Sequence, residues 1–229
     1  MSQANVVSVD RRQRRREETI EEVLGIAAEI MAEHGVAGLS VGEIARRMGI
    51  RAPSLYVYFP SKHALYDALF ARGAQSVLAA MEASFAAHPV AGAGTLEEIM
   101  LDRAEAFVRW SMRNAAYAQL LFWRPVPGFT PSPDAYEPAV RLARLAEEQF
   151  VQLQRRGLMR IDLPANQAFR DWTILISGII SQQLSNAPQE SFEEGQFTAA
   201  LPGLVSMFAR YCEPPAPSAR GRYHHADKD

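Results

Sequence analysis

Apolar side chains recur at helical spacing along most of this 229-residue chain, and that periodicity constrains the fold more than any other feature. The first clear case runs from Ile20 to Met31, where apolar residues return every three or four positions until Gly35. We find no competing strand pattern. With 48% hydrophobic residues the chain can bury a substantial core, so the sequence predicts an all-α protein.

Two short helices are predicted in the N-terminal third. Ser40 is followed three positions later by Glu43, which is the pattern of a capping box, so a helix is predicted over "VGEIARRM". Gly49 closes this helix because glycine tolerates the positive φ of a tight helix-ending turn. A third helix is then predicted from about Ala52 to Phe59, where Pro60 stops it.

The rest of the chain is also predicted to be helical, which gives about nine helices in all. Ser61 is the expected N-cap of a long fourth helix that ends near His88. Pro202 and Gly203 are expected to kink or split the last helix. The helices after the fourth are predicted over residues 95–113, 115–123, 136–157, 165–186 and 190–211.

Charge and composition exclude several classes of protein. The net charge is −2, with 9 Lys and Arg against 8 Asp and Glu in residues 1–62, so the basic signal is local and modest. Cys212 is the single cysteine, so we expect it to pack in the core and expect no disulfide framework and no metal site. No apolar run approaches the roughly 20 residues of a membrane span, so we expect a cytoplasmic protein with no membrane partner.

The sequence does not favour an enzyme or an architectural DNA-binding protein. The five histidines form no metal-binding pair, and neither a nucleophile elbow nor a phosphate-cradling glycine loop is present. A pI near 6.2 is low for a protein that coats DNA. We expect no catalytic residues and no cofactor.

Two short helices across a glycine turn, with a longer helix on either side, form the helix-turn-helix pattern whose second helix can enter a major groove. On that second helix, Leu55 and Phe59 face inward, whereas Arg51, Ser54 and Tyr58 share the opposite face. Seven residue steps along a helix span roughly 10 Å, which is close to the width of the groove. The outward face therefore matches the major groove of DNA.

The stretch from Thr19 to Phe70 resembles the DNA-binding domain of the TetR (tetracycline repressor-like) family of bacterial transcriptional regulators. The resemblance implies an N-terminal three-helix domain joined by a long helix to a C-terminal helical domain that binds a ligand and dimerises. The motif residues are Gly35, Ser40, Ile44-Ala45, Gly49-Ile50, Tyr56, Tyr58-Phe59 and Ser61-Lys62.

The resemblance also implies roles in DNA binding. Arg51 and Pro53 depart from the family pattern, which often has Ser or Thr and a small residue there, so base preference is expected to differ. Arg51 is the one side chain of the reading helix able to bind a guanine edge through two hydrogen bonds. The alternative to these roles is that Lys62 is simply solvated and that Tyr56 and Tyr58 belong to the core. Phosphate contacts are expected from Ser40, Tyr56, Tyr58 and Lys62, and contacts near base edges from Arg51, Ala52, Pro53 and Ser54.

Five arginines lie between residues 11 and 16, ahead of the predicted first helix. Cations at a helix N-terminus oppose its dipole by about 0.3–1 kcal/mol each, so their position suggests another use. We expect Arg14 and Arg15 to form an arm on DNA. The alternative is a solvated helix start.

The helices after residue 61 are expected to form a ligand pocket and a two-fold dimer interface, as the resemblance implies. The alternative for both sets of residues is burial within one chain. Pocket candidates are Met100, Arg103, Phe107, Trp110, Asn114, Tyr117, Trp123 and Trp172. Interface candidates are Leu175, Gly178, Ile179, Gln182, Leu201, Leu204, Val205 and Phe208.

The sequence thus predicts a homodimeric repressor that a small hydrophobic effector releases from a double-stranded DNA operator. A regulator that activates instead, or an architectural DNA-binding protein without a ligand, is the alternative. We divide the chain into an arm and helix-turn-helix domain (1–60), an effector-binding and dimerisation domain (61–212) and a tail (213–229) expected to be disordered because it is rich in proline and poor in aliphatic residues.

Overall fold

Nine α-helices and two short 3-10 turns form the fold in the computed structural model, which describes residues 3–92 and 94–215, with backbone only for 3–10. These ranges contain no strand, so the all-α prediction is confirmed. None of their helices is long and apolar enough to cross a bilayer. The helices are α1 (Gln3–His34), α2 (Val41–Arg47), α3 (Ala52–Leu55), α4 (Lys62–Ala87), α5 (Leu96–Arg113), α6 (Ala115–Phe122), α7 (Pro133–Arg155), α8 (Ala165–Asn186) and α9 (Leu201–Cys212).

Helix α3 is shorter than the sequence predicts. It ends at Leu55 instead of Phe59, and the backbone N–H groups of Tyr58 and Phe59 both donate to the Leu55 carbonyl oxygen at 2.9 Å. Because a residue before proline is disfavoured in the helical conformation, Phe59 cannot continue the helix into Pro60. Tyr56 and Tyr58 therefore lie on a turn between α3 and α4.

The prediction of a last helix over 190–211 is wrong at its start. Helix α9 begins at Leu201, which places Pro202 in its first turn, where a missing N–H costs nothing, so no kink forms. The preceding segment is held by the buried side chain of Gln183. Its Oε1 accepts from the Phe197 N–H at 2.9 Å, and its Nε2 donates to the Ala187 carbonyl at 2.8 Å.

The predicted capping box of α2 is only half formed. Ser40 Oγ accepts from the backbone N–H of Glu43 at 3.3 Å, as predicted. The carboxylate of Glu43 does not return to the Ser40 backbone but accepts from Arg46 at 2.8 Å and Arg47 at 2.9 Å. Bonds from the guanidiniums of Arg46 and Arg47 lower the pKa of Glu43 to about 2. A complete capping box instead starts α5 at Thr95.

Two large apolar cores form the interior of the described residues, and α4 contributes buried residues to the first of them. The N-terminal core joins α1, α2 and α3 to the first three turns of α4, with residues such as Ile30, Ile44 and Leu69 fully buried. The C-terminal core joins α5, α7, α8 and α9. A domain division at residue 60 remains a prediction, and most of the predicted tail (216–229) lies outside the described residues.

Replacement of Tyr66 by Phe should lower the free energy of unfolding by about 0.5–1.5 kcal/mol. Tyr66 is completely buried, and its hydroxyl donates to the Val36 carbonyl at 2.7 Å, which ties α4 to the turn after α1. Without it, that carbonyl keeps only a 3.4 Å contact from the Leu39 N–H. Chemical denaturation followed by circular dichroism measures the change. Tyr56→Phe is the control because Tyr56 is 51% exposed, and an equal loss in both variants would contradict the assignment.

Candidate DNA-binding surface and ligand cavity

The turn between α2 and α3 fixes the helix-turn-helix pair. Gly49 adopts a φ of +67°, as predicted, and the N–H of Ile50 donates to the Ala45 carbonyl at 3.0 Å. Leu55 and Phe59 are buried in the N-terminal core. These contacts leave the opposite side of α3 free to face solvent.

Most of the predicted DNA-contacting side chains lie on that solvent-facing side. Ala52 and Tyr58 are half-buried. The Arg16 guanidinium lies 6.0 Å from the centre of the Tyr58 ring, and Lys62 Nζ lies 5.5 Å from the Tyr66 ring. The exposed members are Ser40, Arg51, Pro53, Ser54, Tyr56 and Lys62.

The sequence predicts that the run of five arginines precedes the first helix, but the structure places it within that helix. Helix α1 begins at Gln3, so the run is more than one turn from its N-terminus and the argument from the helix dipole does not apply. The side chains of Arg14 and Arg15 are exposed. Through Arg16 and Tyr58, this part of α1 meets the turn that follows α3.

An ion-pair network holds α2 against α1. Arg47 donates to Glu33 at 3.0 and 2.5 Å and to Glu43 at 2.9 Å. The bond from Arg47 holds the pKa of Glu33 below its usual value. Sequence reasoning missed this network. The spacing of Glu43 from Arg46 and Arg47 signals the part within α2, but the contact with Glu33 depends on how the helices cross.

A cavity of about 340 Å³ lies between α4, α5, α7 and α8. Its wall is mostly apolar, and Arg103, Gln149, Thr173 and Ser177 are its polar members apart from Tyr136. On α4 it begins at Phe70 and ends at Phe85, and on α7 it begins at Tyr136 and ends near Gln149. The ring centres of Phe70 and Tyr136 are 5.8 Å apart in a stacked arrangement, which closes the end nearest the N-terminal core.

The opposite end of the cavity carries a buried cation. Arg103 is 6% exposed, and its guanidinium carbon lies 5.3 Å from the Phe85 ring centre. Its Nη2 donates to Gln149 Oε1 at 2.9 Å and to the His88 carbonyl at 3.3 Å. Burial lowers the pKa of Arg103 to about 10, a shift that the charge of Asp102 partly offsets, so the side chain is charged at neutral pH.

Half of the eight predicted pocket residues line this cavity, namely Met100, Arg103, Phe107 and Trp172. The other four lie elsewhere. Trp110 donates to Ser76 Oγ at 3.0 Å, and the Asn114 amide donates to the Trp110 carbonyl at 2.9 Å. Tyr117 packs against Gly73, and Trp123 packs edge-on against Phe122.

Sequence reasoning missed the walls that α4 and α7 contribute. It gave weight to aromatic residues, whereas α7 presents Ala139, Ala143 and Ala146 at helical spacing. Small side chains on one helical stripe leave space beside a neighbouring helix. Val77 and Met81 on α4 complete the same wall.

Part of the predicted dimer interface is corrected by the structure. Four candidates, Ile179, Leu201, Val205 and Phe208, are at most 5% exposed and pack in the C-terminal core of their own chain. They are buried because α8 and α9 both pack against α5. Leu175 and Leu204 are half-buried, whereas Gly178 and Gln182 are exposed.

A different apolar strip is exposed on α8 and α9. Tyr211 Oη donates to Asp171 at 3.4 Å, which sets the two helices side by side. Met207 lies four residues before Tyr211 on α9 and is 58% exposed. Ile174 lies three residues after Asp171 on α8 and is 71% exposed.

Comparisons with known proteins agree with the helix-turn-helix geometry. A family model described as "Bacterial regulatory proteins, tetR family" matches residues 23–69. The chain is 32% identical to an HTH-type transcriptional regulator of Mycobacterium tuberculosis over 127 residues, which are 55% of this chain and 53% of that relative. The chain therefore spans about half the length of this curated relative.

A shorter match and a solved structure extend the comparison. The chain is 43% identical over 47 residues to the class A tetracycline repressor from transposon 1721 of Escherichia coli, a match that covers 20% of this chain and 22% of that one. The fold is similar to that of the transcriptional regulator FadR from Bacillus subtilis in complex with stearoyl-CoA. The TM-score is 0.62 at 13% identity, over 82% of this chain and 97% of that one.

The structure accounts for the match to the family model, because residues 23–69 contain the buried core of α1, the α2–α3 pair and the first turns of α4. Residues 23–69 of this chain thus match the family model of the tetR bacterial regulatory proteins, and the overall fold is similar to that of a solved regulator.

Proposed function

We propose that the protein is a transcriptional repressor that binds an operator as a homodimer and is released when a small hydrophobic effector occupies the cavity. One observation carries this proposal. Phe70 and Ala74 line the cavity and also belong to the N-terminal core that holds the helix-turn-helix pair. A molecule in the cavity therefore touches the helix on which the DNA-binding helices rest.

The contacts at this end of the cavity offer a route for the coupling. Phe70 stacks on Tyr136, and Asp67 accepts from the Ser132 backbone N–H at 2.6 Å and from its hydroxyl at 2.7 Å. These bonds tie the start of α7 to the first turns of α4. An effector that binds better when α4 and α7 are further apart favours a conformation in which Lys62 and α3 are displaced.

The DNA contacts in this proposal follow the exposure of the side chains. Arg51 reads a base edge with Ala52, Pro53 and Ser54 beside it, whereas Ser40, Tyr56, Tyr58 and Lys62 bind phosphates. Arg14 and Arg15 on α1 add charge near the same surface. The partner is a double-stranded operator in the cytoplasm.

The proposed dimer interface is the exposed strip on α8 and α9. Gly178 and Gln182 are retained from the sequence prediction, and Ile174 and Met207 replace the buried candidates. Small and apolar residues on two adjacent helices suit a four-helix contact between identical chains.

The comparisons support the repressor role and the ligand site of this proposal. A relative is named as a tetracycline repressor, and a solved structure of similar fold is named as a complex with stearoyl-CoA. The apolar cavity favours a ligand-responsive regulator over an architectural DNA-binding protein.

Selection from random DNA should return an inverted repeat, with half-sites about 34 Å apart or a multiple of it, since each chain presents one reading helix. Apolar compounds are then screened for release of this operator. Because coupling between two sites is reciprocal, operator DNA should weaken the binding of a releasing compound by the factor by which the compound weakens operator binding. A single asymmetric footprint occupied by a monomer would contradict the dimer, and equal affinities with and without operator would contradict the coupling.

Substitution of Lys62 and Arg51 by Ala should separate phosphate binding from base reading. Loss of Lys62 should weaken specific and nonspecific binding alike and lower the salt slope by about one, because one charge contact is lost. Loss of Arg51 should cost roughly 1–3 kcal/mol on the operator and much less on random DNA. Fluorescence anisotropy across a salt series measures both effects. Tyr56→Phe is the control, because it removes a hydroxyl contact without changing the salt slope. If Arg51→Ala weakened binding to operator and random DNA equally, Arg51 would be assigned to phosphate binding instead of base reading.

The variant Met207→Arg should convert the dimer into a folded monomer, because it places a charge in the proposed apolar interface while leaving the core intact. Sedimentation velocity gives the mass, and circular dichroism confirms the helical content. Ile161→Arg is the matched control, since Ile161 is 85% exposed and lies outside α8 and α9. A dimer that survives Met207→Arg would place the interface on another surface.

A further inference from the structure

The polar end of the cavity contains hydrogen-bond donors that nothing in the described part of the chain satisfies. Arg103 Nε and Nη1 are buried and have no hydrogen-bond partner among the described residues. Only Nη2 is bonded, to the neutral oxygens of Gln149 and His88. An arginine in this state is costly, because a buried cation normally pairs with an anion.

The acid nearest in sequence does not supply that anion. Asp102 accepts from the Ser84 hydroxyl at 3.1 Å and lies 2.9 Å from His88 Nδ1. The ion pairs found among the described residues do not include Arg103. Arg103 therefore remains charged at neutral pH beside a cavity wall and without a carboxylate of its own.

The shape of the cavity adds a second constraint on the ligand. On α4 the lining runs from Phe70 to Phe85, and fifteen residue steps of a helix correspond to roughly 22 Å. Between these ends the wall is formed by Val77, Met81 and the alanines of α7. The cavity is thus long and apolar, with one charge at the end far from the DNA-binding helices.

We propose that the effector is a fatty-acid-like carboxylate, whose anionic group pairs with Arg103 and whose apolar tail extends along α4 towards Phe70 and Tyr136. A rotation of the guanidinium towards the cavity presents the unpaired Nε and Nη1, and the carboxylate accepts hydrogen bonds from both. The inference rests on the proposed function in one respect, namely that this cavity is the effector site.

Calorimetry on the full chain, freed of bound lipid by organic extraction and refolding, tests the charge requirement. Dodecanoate should bind about 10- to 100-fold more tightly than its neutral methyl ester, the range expected for hydrogen bonds to a charged group. Arg103→Met should abolish that preference and leave binding of the ester intact. Arg113→Met is the matched control, because Arg113 is an exposed arginine of the same helix, and it should keep the preference.

A second variant keeps the guanidinium and its packing. Gln149→Glu supplies an internal carboxylate where Arg103 already donates, so dodecanoate should lose at least about tenfold in affinity while the methyl ester is spared. This variant decides the matter if Arg103→Met does not fold. Equal affinity of wild type for dodecanoate and its ester, or a preference that survives both substitutions, would overturn the proposal and indicate that water satisfies Arg103.

Operator release separates this proposal from the proposed function. If dodecanoate binds through Arg103 but does not release the selected operator, the ligand class stands and the effector-released repressor fails. If a neutral compound occupies the cavity and releases the operator while dodecanoate does not bind, the repressor stands and the ligand class is wrong. Hexadecanoate should release the operator more effectively than octanoate, because its tail reaches further towards Phe70.

Discussion

The packing of α4 against both the N-terminal core and the helices of the cavity wall is the constraint on which the rest of the structure depends. Its first turns bury Leu65 and Leu69 with the DNA-binding helices, and Val77 and Met81 further along line the cavity or a smaller neighbouring core. Protein interiors are close-packed and transmit displacement instead of absorbing it. In the proposed function, a helix shared in this way links the orientation of α3 to the contents of the cavity.

The DNA-binding half is held together by contacts of two kinds. Apolar burial sets the positions of α1, α2 and α4, while Arg47 and the hydroxyl of Tyr66 fix their relative angles through Glu33 and the Val36 carbonyl. The ion pairs are partly solvent-exposed, and such pairs contribute little stability by themselves. Their value lies in orientation, because recognition of a groove requires α3 to be presented at a fixed angle.

The cavity differs from an ordinary core because it contains a buried cation with unsatisfied hydrogen-bond donors. A core of this composition would normally exclude Arg103, and the bonds from its Nη2 to Gln149 and to the His88 carbonyl leave Nε and Nη1 unsatisfied among the described residues. Polar groups in native interiors are usually bonded, so such an exception indicates a site that awaits a partner. The alanines of α7 supply the space for that partner, since they leave a gap that larger side chains would fill.

The sequence by itself determined the helical content, the position of the helix-turn-helix pair and the turn at Gly49, because these follow from local spacing and from backbone preferences of glycine and proline. It also placed Arg103 among the pocket residues. Only the tertiary structure decided that Phe208 is buried while Met207 is exposed, that α7 forms a cavity wall and that Arg103 has no anionic partner among the residues the structure describes. Periodicity shows which residues share a face of one helix, but which neighbour covers that face depends on how distant segments pack.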